Sequence, residues 1–394
     1  MKTILLLGAG TGSPDAVLKF KRLGLRIVMA ELREVFDLRK CEPADELILT
    51  DYSKPEFIEL ALRLRETWHY DVAVSITEVG VAVAARINER LGVRGANPRA
   101  IACLKDKAAM RALLNEHGFS PVAFRRIDDE SDIDALADGV DYPLIVKPFD
   151  GGGSLGIHLA RDADELRQAV AALQAQGQVP LAEQYIDGKE YSVESFSFNG
   201  QHFIAAITEK IVNDQFIEIG HVVPARLDAA TAAEVAAFVK QFLEIVGVTQ
   251  GPGHTEMKIS SRGMKIIESH NRVGGDNIPK LVELSRGVDL ISLTGQWACG
   301  LVEPGLPEPR PRDAAAIHFF VFAPGEILDI QGLDDLARDP GTVEVRCGYA
   351  KGDVVRPLTS NSTRAGYVVA CAGSADAAIA KVQELAARVR AHVR

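Results

Sequence analysis

Residues 254–272, HTEMKISSRGMKIIESHNR, constrain the chain most, because reading them as one hairpin brings like charges face to face. Ser261-Arg262-Gly263 has the form of a three-residue hairpin loop, with glycine where the left-handed conformation is needed. Ser260 then lies opposite Met264, and counting outward sets Glu256 opposite Glu268 and His254 opposite His270. Alternation keeps Glu268, His270 and Arg272 on one face, and it puts Met264 and Ile266 there too, which implies partial burial. Carboxylates about 5 Å apart on neighbouring strands repel. Such a pair persists if one member is protonated, if a cation lies between them, or if the face is fully solvated. Magnesium held by carboxylates and nucleotide phosphates is one arrangement of the second kind. A slip of one residue in register would undo the pairing.

Two glycine-rich loops bear on nucleotide binding. GAGTGS follows an apolar strand at 4–7 and leads into a helical stretch at about 14–23. The dinucleotide fingerprint asks for glycine at its first, third and sixth positions, and the sixth here is Ser13. A strand-to-helix turn needs glycine for its own geometry, so the structural reading is preferred to a nicotinamide site. The second loop carries more. The strand PLIVKP bears one charged residue, Lys147, and runs into FDGGGSLG before a further strand. Strand, glycine loop, strand makes a flap. Its backbone N–H groups, around Gly153, can close over phosphate oxygens while Ser154 adds a hydroxyl and Lys147 a point charge. The plain alternative is a flexible hairpin with a snorkelling lysine.

The 394 residues exceed what one compact core usually holds. Strands at 4–7, 26–30 and 72–75 alternate with helical stretches, which implies a parallel sheet covered on both faces. From Asp106 a helix runs to about residue 117, and a β-rich α+β region follows, with strands expected at 144–147, 157–160, 181–185, 191–198, 203–210 and 254–259. The proline-rich LVEPGLPEPRPRD reads as a linker to a small α/β unit whose last helix presents Ile379, Val382, Ala386 and Val389 on one face. The expected division is 1–104, 105–303 and 304–394.

Charge and cysteine usage exclude other classes. A net charge of −10 argues against a general nucleic-acid binder. No apolar run approaches the length of a membrane span, and the apolar opening breaks at Gly8, too soon for a secretory leader. Five scattered cysteines show no Cys-x-x-Cys spacing and read as buried free thiols, so a cytoplasmic location is expected. Trp297 and His318 read as core residues.

Lys147, the GGGSLG loop, LAEQYIDGKEYSVE and IIESHNRVGGD, in that order, resemble the ATP-grasp superfamily, and the N-terminal unit resembles its pre-grasp domain. FIEIGHVVPA, NRVGGDNIPKLVELSRGVDL and GYAKGDVV…RAGYVVACAG are similar to the L-amino acid ligase group of bacilysin-synthetase type. The resemblance implies an ATP-grasp fold, with two α+β subdomains clamping ATP between a pre-grasp domain and a small C-terminal domain. It implies that Lys107 and Lys147 contact phosphates, that Glu183, Tyr185 and Ile186 frame adenine, and that Glu190 holds the ribose. Glu256 and Glu268 match magnesium ligands, with manganese an alternative ion. His270 stands where many members carry asparagine, with Asn271 next, so His270 either completes the metal site, binds substrate or orients Glu268. Arg272 matches the arginine that steadies an acyl phosphate. Glu218, His221, His254 and Gly274 match the amino-acid pocket. The implied activity is an ADP-forming carboxylate–amine ligase joining two amino acids, with a homodimer as the expected assembly and no nucleic-acid or membrane partner. Ligation of another acid or amine, a nicotinamide-dependent oxidoreductase and a non-catalytic nucleotide sensor are the alternatives.

Overall fold

The computed structural model describes residues 1–8, 15–137, 141–306 and 312–394. Strands β1 (Thr3–Leu7), β2 (Arg26–Glu31), β3 (Glu46–Leu49) and β4 (Val72–Val74) form a parallel sheet in the order β3-β2-β1-β4. Both its faces are apolar because helices cover both. Ile4, Leu6, Ile27 and Met29 join one core, while Leu5, Leu7 and Val28 join another. Residues 9–14, most of the GAGTGS loop, lie outside the described residues, as do 307–311 of the expected linker.

Helix Lys107–Glu116 starts where the Asp106 carboxylate accepts the Ala109 N–H. Beyond it, β5 (Phe124–Arg126), β6 (Leu144–Pro148), β7 (His158–Ala160) and β8 (Pro180–Gln184) make an antiparallel sheet ordered β5-β8-β6-β7. Helix Ala163–Gln174, capped by Asp162, covers one of its faces. The long strands follow: β9 (Lys189–Phe198), β10 (Gln201–Val212), β11 (Glu218–Val223), β12 (Gly251–Ser260) and β13 (Gly263–His270). The rest are β14 (Ala314–Phe320), β15 (Gly325–Gln331), β16 (Glu344–Cys347), β17 (Val354–Val355), β18 (Gly366–Ala372) and β19 (Arg390–Val393). Eight of these build one antiparallel sheet, β13-β12-β9-β10-β11-β14-β18-β16, and β17-β15-β19 form a small one. Hydrogen bonding therefore runs unbroken from β11 into β14, across the expected division at 303/304. In helix Ala375–Ala386 the buried face is Ala378, Val382 and Leu385, and Val389 falls beyond its end.

The β12–β13 hairpin corrects the sequence reading in two steps that cancel. Ser260 pairs with Gly263, so the loop has two residues rather than three. A bulge then inserts Ile267, because Met257 pairs with Ile266 while Glu256 pairs with Glu268. Glu256 faces Glu268 and His254 faces His270, as the spacing predicts. Met264 and Ile266 do not share that face. The bulge turns them to the other side, where both pack in the core with Met110, Leu114 and Met257.

All five cysteines are free thiols, with Cys41 and Cys299 buried. Among the described residues no helix is long and apolar enough to cross a membrane.

Candidate active site

A cavity of about 440 Å³ opens between the β5–β8 sheet and the β9–β13 strands. The first sheet supplies Lys147 from β6 and Glu183 from β8, neighbours on one face because Ile145 pairs with Glu183 and Lys147 with Leu181. The Lys147 ammonium bonds to one Glu183 oxygen, and Arg111 Nε, fully buried, donates to the other at 2.9 Å. Burial disfavours the Glu183 anion, but these two cations outweigh it and hold the carboxyl at about 2. Tyr185 and Ile186 line the cavity beside Lys258, whose ammonium lies 3.3 Å from the Ile186 carbonyl.

The glycine loop closes the roof. Gly153, Ser154 and Gly156 have φ of +66°, +59° and +70°, which glycine adopts freely and Ser154 does not. Lys107 joins loop to floor: its Nζ donates to the Gly151 carbonyl at 2.5 Å and lies 3.1 Å from Glu268.

The floor is a row of acids on adjacent strands. Lys210, its side chain only 1% exposed, reaches Glu218 at 2.5 Å, Glu256 at 2.7 Å and Glu190 at 3.2 Å. Two carboxylates about 5 Å apart repel by about 3 kcal/mol at an effective dielectric of about 20, whereas an ammonium at about 3 Å returns about 5 kcal/mol to each. So the pair Glu256–Glu268 is held by Lys210 and Lys107, a solution that the sequence reading did not weigh. Burial disfavours the Glu256 anion, yet Lys210 brings its carboxyl down to about 2. Glu268 is likewise held well below the usual range against burial, chiefly by Lys107. In Glu190 burial prevails over Lys210 and the carboxyl is raised.

Behind Glu256, His254 bridges Glu194 at 2.9 Å and Glu256 at 3.1 Å. Burial opposes its charged form, but Glu194 outweighs burial and raises the imidazole to about 9. Arg272 donates from Nε to Glu78 at 2.7 Å and from Nη1 to the Val273 carbonyl at 2.8 Å. His270 Nδ1 lies 2.8 Å from the same Glu78 carboxylate as an ion-pair neighbour, and despite burial these cations keep Glu78 at about 2. At the far end, Glu218 and Asp276 lie 3.2 and 3.7 Å from His221 Nε2, and Arg364 grips Asp276 at 2.5 Å. Burial disfavours the His221 imidazolium, but the two carboxylates raise it above its ordinary value.

Lys107, Lys147, Gly153, Ser154, Glu183, Tyr185, Ile186, Glu190, Glu218, His254, Glu256, Glu268, His270 and Arg272 thus line one cavity. Three expectations need correction. His221 and Gly274 are set behind the wall: His221 is fully buried, and a Cβ on Gly274 would lie 2.9 Å from His254 Nδ1. Glu256, Glu268 and His270 are not one converging ligand set, because the His270 nitrogens face Glu78 and Glu268, the latter at 3.4 Å, as an orienting partner would. Among the described residues the ligand atoms that converge are those of Glu190, Glu218 and Glu256, and those of Glu218, His221 and Asp276. Asn271 turns away to the Gln250 and Pro252 carbonyls. Sequence reasoning missed Lys210, Arg111, Glu78, Glu194, Asp276 and Arg364. For Lys210 a signal existed, a lysine beside Glu209 in the largely apolar run FIAAITEKIV.

The family model described as "ATP-grasp domain" matches residues 140–280, and "L-amino acid ligase C-terminal domain 2" matches 318–394. Alanine–anticapsin ligase of Bacillus subtilis is 27% identical over 336 residues, covering 77% of this chain and 71% of that protein. The L-arginine-specific L-amino acid ligase of Bacillus subtilis is 23% identical over 318 residues, 77% of this chain and 75% of its own. The crystal structure of an L-amino acid ligase from Bacillus licheniformis superposes with a TM-score of 0.87 at 21% identity, covering 100% of this chain and 99% of that one.

Proposed function

We infer that this chain, an ATP-grasp protein carrying the C-terminal domain of the L-amino acid ligases, joins the carboxylate of one amino acid to the amine of another and converts ATP to ADP and phosphate. The observation that carries the reading is the set of exchangeable ion pairs, Lys107–Glu268 and Lys210–Glu256, under a glycine loop. These carboxylates are hard oxygen donors on neighbouring strands, each held by a lysine alongside softer contacts, and that donor set fits magnesium. Glu256 and Glu268 would hold the ion, which supplies charge neutralisation at the phosphates when bound.

With such an ion on these carboxylates, Lys107 and Lys210 would be free of their acids. Lys107 and Lys147 then face phosphate oxygens, while backbone N–H groups of the Gly153–Ser154 turn cover them from above. Glu183, Tyr185 and Ile186 frame the base and Glu190 the ribose. A substrate carboxylate oxygen attacks the γ-phosphorus, the bond to ADP breaks, and an acyl phosphate forms. Arg272 is placed to exchange Glu78 for the developing oxyanions, a task for a planar fork of donors. The second substrate's amine attacks the acyl carbon, phosphate leaves, and the amine proton is lost. Glu218 and Asp276 face that end of the cavity with charges that suit a substrate ammonium. The closed loop keeps out water, which would otherwise hydrolyse the intermediate.

Mass spectrometry of the full chain with ATP, magnesium and pooled L-amino acids tests this. ADP, phosphate and a product of two amino acids less one water are expected. Amino-acid-independent ADP formation, or no new amide, would overturn it.

A further inference from the structure

The reaction leaves one group of side chains unexplained. Asn361–Thr363 form a single 3-10 turn closed by a Ser360 capping box, far from the phosphates in sequence yet reaching the acid end of the cavity. Arg364 follows it with a side chain 8% exposed. Its donors are fastened on three sides: Nη2 to Asp276 at 2.5 Å, Nη1 to the Glu218 carbonyl at 3.1 Å, and Nε to the Asn361 carbonyl at 2.7 Å. Its guanidinium lies 3.6 Å from the centroid of the Phe319 ring, and that ring meets His221 edge-on at 5.7 Å. Asp276 and Asn277 have φ of +51° and +60°, a backbone that Asp and Asn tolerate but that needs imposing by its surroundings. Asn361 does two further things. Its Oδ1 accepts the Glu218 N–H at 3.2 Å, and its own N–H donates to the Gly153 carbonyl at 3.1 Å.

We propose that Arg364 is a positioning residue of the ligase reaction, setting Asp276 and the Glu218 backbone as the wall that receives the amino-acid substrate, while Asn361 ties this wall to the glycine loop. The proposal rests on the ligase reading above. An ammonium's three donors radiate from one nitrogen, whereas these three acceptors are met by three separate nitrogens of one plane, so the shape of the fork is required as well as its charge. Fastening loop and wall to one turn makes the cover over the phosphates and the shape of the amino-acid pocket a single geometry.

The test uses the full chain and follows ADP and amide together. Arg364→Met keeps the apolar stem and removes the fork. It is expected to lower kcat/KM for the amino acid by about 30-fold, with KM for ATP changed by less than about threefold. Arg364→Lys should recover only part of the loss. Arg364→Met added to Asp276→Asn should cost less than about threefold more, since both act through one carboxylate. Asn361→Pro removes the N–H to Gly153 at a first-turn position that accepts proline, so it should release more ADP per amide than Asn361→Ala. The role is overturned if Arg364→Met weakens ATP and amino acid in proportion, if the two losses multiply, or if only the melting temperature falls. Equal coupling in Asn361→Pro and Asn361→Ala overturns the tie to the loop. Absence of amide from the wild type overturns the ligase reading and this role with it, whereas wild-type amino-acid kinetics in Arg364→Met overturn this role alone.

Discussion

The two ends of the cavity hold their buried acids by different means. At the end proposed for the nucleotide, Glu256 and Glu268 are matched by Lys210 and Lys107, compact charges on flexible stems. At the end proposed for the amino acid, Asp276 is gripped by a guanidinium that is itself stacked on Phe319 and bonded to two carbonyls. An ammonium can leave a carboxylate for a phosphate without disturbing the strand that carries it, whereas a fork with three fixed partners cannot. Burial of charge costs free energy at both ends. The chain meets it with exchangeable partners where charge has to move and with fixed partners where shape has to last. Lys210 belongs to both, since it reaches Glu218 as well as Glu256.

The largest effect should come from breaking the exchange itself. Glu268→Gln keeps size and hydrogen bonding but removes one charge that a lysine and an incoming ion would share. Amide formation should fall by about 10³-fold or more, with a melting temperature close to that of the wild type. ADP release and thermal melting, measured together, decide this, and near-normal turnover would break the contrast at its nucleotide end. Lys210→Met should have a smaller, more telling consequence. With only the Lys258 ammonium left nearby, 3.7 Å from Glu190, the three acids Glu190, Glu218 and Glu256 become a site in want of a cation. Millimolar magnesium without nucleotide should then raise the variant's melting temperature by about 3–5 °C more than the wild type's. No difference between them would mean that Lys210 does not stand in for an ion.

The contrast was half legible in the sequence. Strand alternation and a short loop brought Glu256 to Glu268, although a two-residue loop and a bulge at Ile267 did together what a three-residue loop was expected to do. Such local pairs are readable because period and turn chemistry act over a few residues. Lys147 and Ser154 came from a charged strand running into a glycine loop, whereas Glu183 and Glu190 came from the resemblance to a family, in segments whose order along the chain is itself the signal. Lys210 and Arg364 were not found. Their partners lie on strands adjacent only in the order β13-β12-β9-β10-β11-β14, and no local pattern encodes that order. Arg111 was missed for the same reason, as it joins helix Lys107–Glu116 to Glu183 on β8. The amino-acid end was therefore the less legible of the two, being assembled from β11, the segment after β13, and the turn before β18.

A further effect separates the ends by pH. In the ligand-free chain Glu183 and Glu256 titrate at about 2, so neither changes charge above pH 5. His254 does, because burial opposes its proton but Glu194 outweighs burial and raises it to about 9. Below pH 6.5 the imidazole is charged in both folded and unfolded chains, and its stabilisation is fully present. As pH climbs from 6.5 the unfolded chain loses the proton while the folded chain keeps it, so the stabilisation shrinks and is gone once pH passes about 9. At about 1.4 kcal/mol per unit the loss is on the order of 3 kcal/mol, worth about 5 °C of melting temperature. His254→Gln retains a hydrogen bond donor to Glu194 without a titrating proton, so its melting temperature should fall less over the same interval. What slope remains belongs to other groups, among them His270 beside Glu268 and His221 beside Glu218 and Asp276, both raised above the ordinary value. Parallel slopes in variant and wild type would remove His254 from the account and leave His270, beside Glu268, as the histidine that titrates at this end.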